Sequence, residues 1–280
     1  MTHKEHIRVG HLTFDCRISG NKENQLVILL HGWPETAFMW VNIMHDLAKL
    51  GFYCVAPNLR GYSSGAILKG KKNYTIDKLS QDVLDIAKAV GKQKFHLVGH
   101  DWGAVIGWKV VHDHSESILS WTALSVPHIQ AFGYAIKNDP IQKKKSRYIR
   151  HFQTPFLPEM KIRKNDFELL RKLWKHSSKE EVEDYLSVFR RKGVLTASLN
   201  YYRANAKMFT DGVIGDIDVP TLFIWGEHDV AIGAVGVEQG HQYMKGYYRF
   251  VKLDAGHWLM QTKYNSVKED ICSHLLKFKV

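Results

Sequence analysis

Five residues, Gly99-His100-Asp101-Trp102-Gly103, set an aspartate between two glycines. They join a strand-like run, Lys94-Phe95-His96-Leu97-Val98, to a helix-like one, Ala104-Val105-Ile106-Gly107-Trp108-Lys109-Val110-Val111. Strand, cramped turn and helix in that order make the elbow that holds a nucleophile clear of a sheet, and the flanking glycines let the backbone turn. Hydrolases of esters carry serine at this place; a carboxylate changes the chemistry. Attack by a carboxylate on an ester carbonyl would give a reactive anhydride, whereas displacement at a saturated carbon bearing an epoxide oxygen or a halide gives an ordinary alkyl ester. Forming and then hydrolysing that ester divides one hard hydrolysis into two easier steps. An aspartate with an ordinary pKa of about 3.9 is already ionised at neutral pH, so the first step needs no base. The second step does.

The distal half supplies a candidate base and its orienting acid. Pro220-Thr221-Leu222-Phe223-Ile224-Trp225-Gly226 reads as a buried strand followed by Glu227-His228-Asp229, and Asp229 is taken as the acid, with Glu227 and Asp254 as rivals. Tyr248-Arg249-Phe250-Val251-Lys252-Leu253 reads as the last strand, and Asp254-Ala255-Gly256-His257-Trp258 follows it. Of sixteen histidines, His257 is singled out by that position in a Gly-His-Trp loop. Nucleophile, acid and histidine in this chain order, each on a loop after a strand, match the α/β-hydrolase order. Donors for the ester carbonyl come from the backbone N–H of Trp102, which follows the nucleophile, and from that of Trp33 in His31-Gly32-Trp33-Pro34, after the strand-like Leu26-Val27-Ile28-Leu29-Leu30.

On these motifs the chain resembles an epoxide hydrolase of the α/β-hydrolase fold. His31-Gly32-Trp33-Pro34-Glu35 matches one family pattern and Gly99-His100-Asp101-Trp102-Gly103 another. The resemblance implies two cap tyrosines that bind the epoxide oxygen, one four residues before a Phe-Gln pair and one in an Asn-aromatic-Tyr-Arg segment. Tyr148 in Tyr148-Ile149-Arg150-His151-Phe152-Gln153 and Tyr202 in Asn200-Tyr201-Tyr202-Arg203 inherit those roles, with Tyr134, Tyr185 and Tyr201 as rivals. Opening an epoxide leaves an alkoxide, and a phenol with an ordinary pKa of about 10 stays protonated at neutral pH to donate to that growing charge. Glu35 has two readings, water positioning or solvent exposure, and stays outside the catalytic set. His31 and His100 are read as scaffold. Asn58-Leu59-Arg60-Gly61 departs from the family's Asp-x-Arg-Gly in a loop taken as structural.

Strand-like and helix-like segments alternate through the first half, which predicts a mostly parallel central sheet flanked by helices. The alternation lapses near Ile129 and resumes near Asp216. The expected division is an α/β core of residues 1–128 and 209–280, with residues 129–208 inserted as a helical cap. Ser178-Lys179-Glu180-Glu181 predicts a capping box, after which Val182, Tyr185, Leu186 and Phe189 recur at helical spacing. Phe167, Leu170 and Trp174 do the same one helix earlier.

Residues 129–208 hold eighteen Lys and Arg against eight Asp and Glu, so this segment carries ten of the formal +11 charge. A basic face of this kind is usually solvated, but it also suits peripheral contact with an anionic membrane or an anionic substrate. A basic patch can also mean nucleic acid, but no nucleic-acid partner is expected. Cys16, Cys54 and Cys272 lack disulfide, metal or redox spacing, and no phosphate-cradling loop or ligand-spaced cluster implies a cofactor or metal. Without a signal-type or membrane-spanning apolar run, a cytoplasmic protein is expected. The first reading is an epoxide hydrolase acting on a small apolar epoxide. A haloalkane dehalogenase with the same Asp-His-Asp machinery and a non-catalytic ligand-binding protein on the same fold are the alternatives. Oligomeric state is left open.

Overall fold

A computed structural model describes residues 2–208 and 214–280; Met1 and residue 209, where the sequence reading returns the chain to the core, lie outside the described residues. One sheet contains β1 (His3–Val9), β2 (Leu12–Ser19), β3 (Gln25–Leu30), β4 (Phe52–Pro57), β5 (Phe95–His100), β6 (Ile118–Leu124), β7 (Thr221–Gly226) and β8 (Tyr248–Leu253). Their order across the sheet is β1-β2-β4-β3-β5-β6-β7-β8. The edge hairpin β1-β2 and the β2-β4 pair are antiparallel, and the pairs from β4 across to β8 are parallel.

The apolar runs behave as expected of strands covered on both faces: β4, β5 and β7 are buried throughout. The helices α1 (Val41–Lys49), α2 (Ile76–Ala89), α3 (Trp102–Asp113) and Tyr264–Lys277 pack on them. From β3 the chain crosses to β4 on one side, and from β4 it returns to β5 on the other. The loops leaving β3 and β5 therefore diverge and open a crevice at the carboxyl ends of these strands, where open parallel sheets bind ligands. His31–Pro34 and Asp101 lie on those two loops.

Between β6 and β7 the described chain is helical: α4 (Ile129–Asn138), α5 (Pro140–Lys145), α6 (Arg147–Phe152), α7 (Leu157–Leu173), α8 (Lys179–Phe189) and α9 (Val194–Ala204). α8 starts on the expected capping box, in which Ser178 Oγ accepts from the Glu181 N–H at 3.1 Å and the Glu181 carboxylate accepts from the Ser178 N–H at 2.7 Å. Its Tyr185, Leu186 and Phe189 are buried, with Val182 half-buried. The stripe one helix earlier is less regular than its spacing implied. Phe167, Leu170 and Trp174 are all buried, yet α7 is interrupted from Lys164 to Phe167, with φ of 63° at Phe167. Burial of the three rings and chains is kept while the backbone between them changes course.

The helical segment is tied to the sheet by buried polar contacts. Asp184 of α8 accepts from Arg17 of β2 at 2.5 Å and from the Thr36 hydroxyl at 2.6 Å. The Tyr201 hydroxyl of α9 donates to the Arg60 carbonyl at 2.7 Å. Asn58, the residue that departs from the family pattern, accepts from the Ala37 N–H at 2.9 Å, which keeps its loop in a structural role. Among the described residues no helix is long and apolar enough to cross a membrane.

Candidate active site

Asp101 sits between β5 and α3 with φ of 52° and ψ of −116°, a conformation disfavoured for a residue bearing a side chain. The turn is possible because its neighbours are small. A Cβ on Gly103 would collide with the Leu30 carbonyl, and one on Gly32 would collide with the Asp101 side chain. Absence of both lets the β3 loop close over the carboxylate, whose Oδ1 accepts the Trp33 N–H at 2.7 Å. Burial works to raise the Asp101 pKa, but the hydrogen bond and charge of His257, then His100 and the Trp33 N–H, outweigh it and hold the carboxyl below its ordinary value.

The loops after β7 and β8 bring up the other two expected residues. Asp229 is fully buried. Its Oδ1 accepts from the N–H groups of Ala231 at 2.7 Å and Ile232 at 3.0 Å, leaving Oδ2 for His257 Nδ1 at 2.8 Å. The opposite ring nitrogen, Nε2, lies 3.6 Å from Asp101 Oδ2. Burial works to depress the His257 pKa; the Asp229 charge, followed by hydrogen bonding and charge from Asp101 and Asp229, reverses this and sets it well above the usual imidazole value. The rival acids are engaged elsewhere: Glu227 pairs with Lys252 at 3.1 Å and Asp254 with His228 at 2.9 Å. Glu227, His228 and Asp254 are all exposed, and their ligand atoms lie close enough together to hold a metal ion at the surface, away from Asp101.

His257 is also held by its backbone. Its carbonyl accepts from Ser125 Oγ at 3.0 Å and faces His100 Nε2 at 3.0 Å. A carbonyl only accepts, so His100 Nε2 carries a proton. His100 Nδ1 faces Glu35 Oε2 at 3.1 Å, and one further proton is shared between those two groups. Glu35 is fully buried and its Oε1 accepts from Gln261 Nε2 at 2.7 Å, which removes the solvent-facing reading of that residue. His31 joins loops as scaffold: its Nε2 accepts from the Leu59 N–H at 3.1 Å, so Nδ1 carries the proton toward the Gly32 carbonyl at 2.9 Å, and burial lowers its pKa to about 4.

Asp101, His257, Tyr148 and Tyr202 line one cavity of about 370 Å³ whose remaining wall is largely apolar, including Trp33, Phe152, Ile162, Leu170, Leu173 and Trp258. The rings of Tyr148 and Tyr202 lie edge to face with centroids 5.9 Å apart, and Tyr202 also packs on Trp102 at 5.0 Å. Burial, followed for Tyr148 by the charges of Asp101 and Asp229 and for Tyr202 by Tyr148 and Asp101, raises both phenol pKa values, so both keep their protons at neutral pH. The rival tyrosines point elsewhere. Tyr201 donates to Arg60, the Tyr185 hydroxyl meets Glu181 at 3.3 Å, and Tyr134 is half exposed.

A family model described as the alpha/beta hydrolase fold matches residues 25–264. Epoxide hydrolase 3 of Xenopus tropicalis is 34% identical over 272 residues, a match spanning 93% of this chain and 74% of that protein. Epoxide hydrolase 4 of Homo sapiens is 32% identical over 283 residues, spanning 96% and 77%. The chain belongs to the α/β-hydrolase family, among its epoxide hydrolases. A solved epoxide hydrolase from Bacillus megaterium, in complex with an inhibitor, superposes with a TM-score of 0.88 over 97% of this chain and 100% of its own, at 24% identity, a likeness of fold.

Within this epoxide-hydrolase framework, Ser125, Gln261 and Glu35 are the site neighbours that the sequence did not assign. Ser125 directly follows β6 with φ of 68°, and Gln261 lies in the short helix Leu259–Thr262 that follows His257. Only Glu35 carried a signal, its place directly after the His31–Pro34 motif. The other two meet the site through contacts between residues more than 100 positions apart.

Proposed function

We propose that the protein hydrolyses an apolar epoxide to a vicinal diol through an alkyl ester on Asp101. Asp101 Oδ2, the oxygen not held by the Trp33 N–H, attacks an epoxide carbon. The breaking C–O bond delivers its electron pair to oxygen, and the hydroxyls of Tyr148 and Tyr202 stabilise and protonate that alkoxide. The ester carbonyl, Oδ1, stays with the Trp33 N–H and gains the Trp102 N–H as second donor. His257, oriented by Asp229, then takes a proton from water as the water oxygen adds to the Asp101 carbonyl carbon. Collapse of that adduct expels the diol oxygen, which takes the proton held by His257, and the new Asp101 carboxyl proton returns to the tyrosine that protonated the alkoxide, restoring carboxylate, imidazole and phenol. In this reading residues 129–208 act as a cap over a core of residues 1–128 and 209–280, and the cap's excess positive charge draws anionic lipid or substrate toward the cavity.

The observation that supports the reading is that one largely apolar cavity is lined both by a carboxylate next to a carboxylate-held imidazole and by a pair of phenols. Its test is His257→Gln, which leaves alkylation intact and disables hydrolysis. Incubation with styrene oxide is expected to add the mass of the epoxide to the peptide containing Asp101. Normal turnover by that variant would remove His257 from its role.

A haloalkane dehalogenase is the second reading, favoured by the indole Nε1 of Trp33, a buried donor without a partner on a residue that lines the cavity. A bromoalkane offered alongside the epoxide separates the two by bromide release against diol. A non-catalytic binding protein would give neither.

A further inference from the structure

The inserted segment turns large apolar side chains outward beside the cavity. Phe156 is 76% exposed, Leu157 61% and Met160 69%. Pro158 and Ile162, from the same turns of α7, line the cavity instead, together with Lys161. Leu169 and Val230, also cavity-lining, are exposed as well. Single exposed apolar residues are ordinary on a protein surface; a cluster beside a cavity mouth marks an interaction site. Phe156 adds a second anomaly, a backbone φ of 64°. That conformation is costly for a bulky residue, and a ring left in solvent recovers little of the cost by packing.

Along residues 147–164, which carry Phe156, Leu157 and Met160, the exposed charge has one sign. Arg147, Arg150, Lys161, Arg163 and Lys164 are all exposed, and the one acid in that stretch, Glu159, is buried and bound by Arg203 at 2.7 Å. Leu157, Met160 and Lys161 follow the i, i+3, i+4 spacing of a single helix face, and exposed Lys164 stands where α7 breaks. Apolar residues flanked by cations on a short helix are the composition that settles into the headgroup layer of an anionic bilayer.

We propose that this face docks on an anionic phospholipid bilayer. Phe156, Leu157 and Met160 enter the interfacial layer, the surrounding Lys and Arg meet headgroup phosphates and carboxylates, and the cavity mouth opens toward the phase in which an apolar epoxide concentrates. The delivery of substrate rests on the proposed epoxide hydrolysis; the docking does not.

The test is co-sedimentation of the full chain with vesicles of phosphatidylcholine, with and without about 30 mol % phosphatidylserine. Binding is expected on the anionic vesicles, reduced about tenfold or more by omitting phosphatidylserine or by raising salt to about 0.5 M. The triple variant Phe156→Asn, Leu157→Gln, Met160→Gln is expected to lose about tenfold or more of the partitioning. It should keep the thermal transition and the turnover of a water-soluble epoxide, because none of the three residues lines the cavity. Equal partitioning of wild type and triple variant, or no binding by wild type, would overturn the docking. So would lipid-free self-association of wild type that the variant loses, which would give the face to a second copy of the chain. Vesicle binding without epoxide turnover would leave the docking standing and remove the proposed activity.

Discussion

Residue by residue, the site is a set of protons assigned by contacts. In the resting protein His257 lies between two carboxylates, and its raised pKa reflects both. In the proposed reaction, esterifying Asp101 cancels one of those charges, so the His257 pKa falls as the ester forms and the imidazole is released as a base when water has to be activated. In pre-steady-state measurements, ester hydrolysis should rise with pH through a midpoint below that of His257 in the free protein, followed by NMR. Coincident midpoints would mean that Asp101 does not act on His257 in this way. In the same proposal the phenols act earlier. Tyr148→Phe or Tyr202→Phe is expected to slow alkylation by about 10²-fold, the scale for losing one preorganised donor, and the double variant should lose more. A loss confined to KM would make them substrate contacts only.

Secondary structure explains why these protons meet. The three loops that carry Asp101, Asp229 and His257 leave the carboxyl ends of the parallel strands β5, β7 and β8, and β3 brings the Trp33 N–H to the same end. The elbow needs close approach of α3 to β3. Gly103→Ala would drive a methyl group into the Leu30 carbonyl, which is backbone and has nowhere to retreat. Overpacking of this kind costs about 1–3 kcal/mol, so a lower melting temperature and lost turnover are expected together. A fully stable and active variant would show that the elbow relaxes. Elements like these were legible because apolar runs such as Leu26–Leu30 and Thr221–Gly226 are strands buried on both faces, and such runs announce themselves in sequence. The break in α7 was not, since Phe167, Leu170 and Trp174 keep helical spacing while Lys164–Phe167 leave the helix.

Taken whole, the molecule sets a nearly neutral sheet core against a strongly basic helical segment, and residues of both line the cavity. Motif residues could be placed from their order along the chain. Tyr148 and Tyr202 could be chosen among twelve tyrosines only through family resemblance, because their approach to Asp101 depends on how α6 and α9 pack. Ser125 and Gln261 had no local mark at all; their value comes from the distant His257 carbonyl and Glu35. Whether the whole arrangement works as proposed turns on the origin of one oxygen atom. In a single turnover with excess protein in H2¹⁸O, attack by Asp101 predicts a diol free of ¹⁸O and one ¹⁸O in the peptide containing Asp101. A diol that already carries ¹⁸O, with Asp101 unlabelled, would mean that water attacks the substrate directly, and would contradict the covalent route.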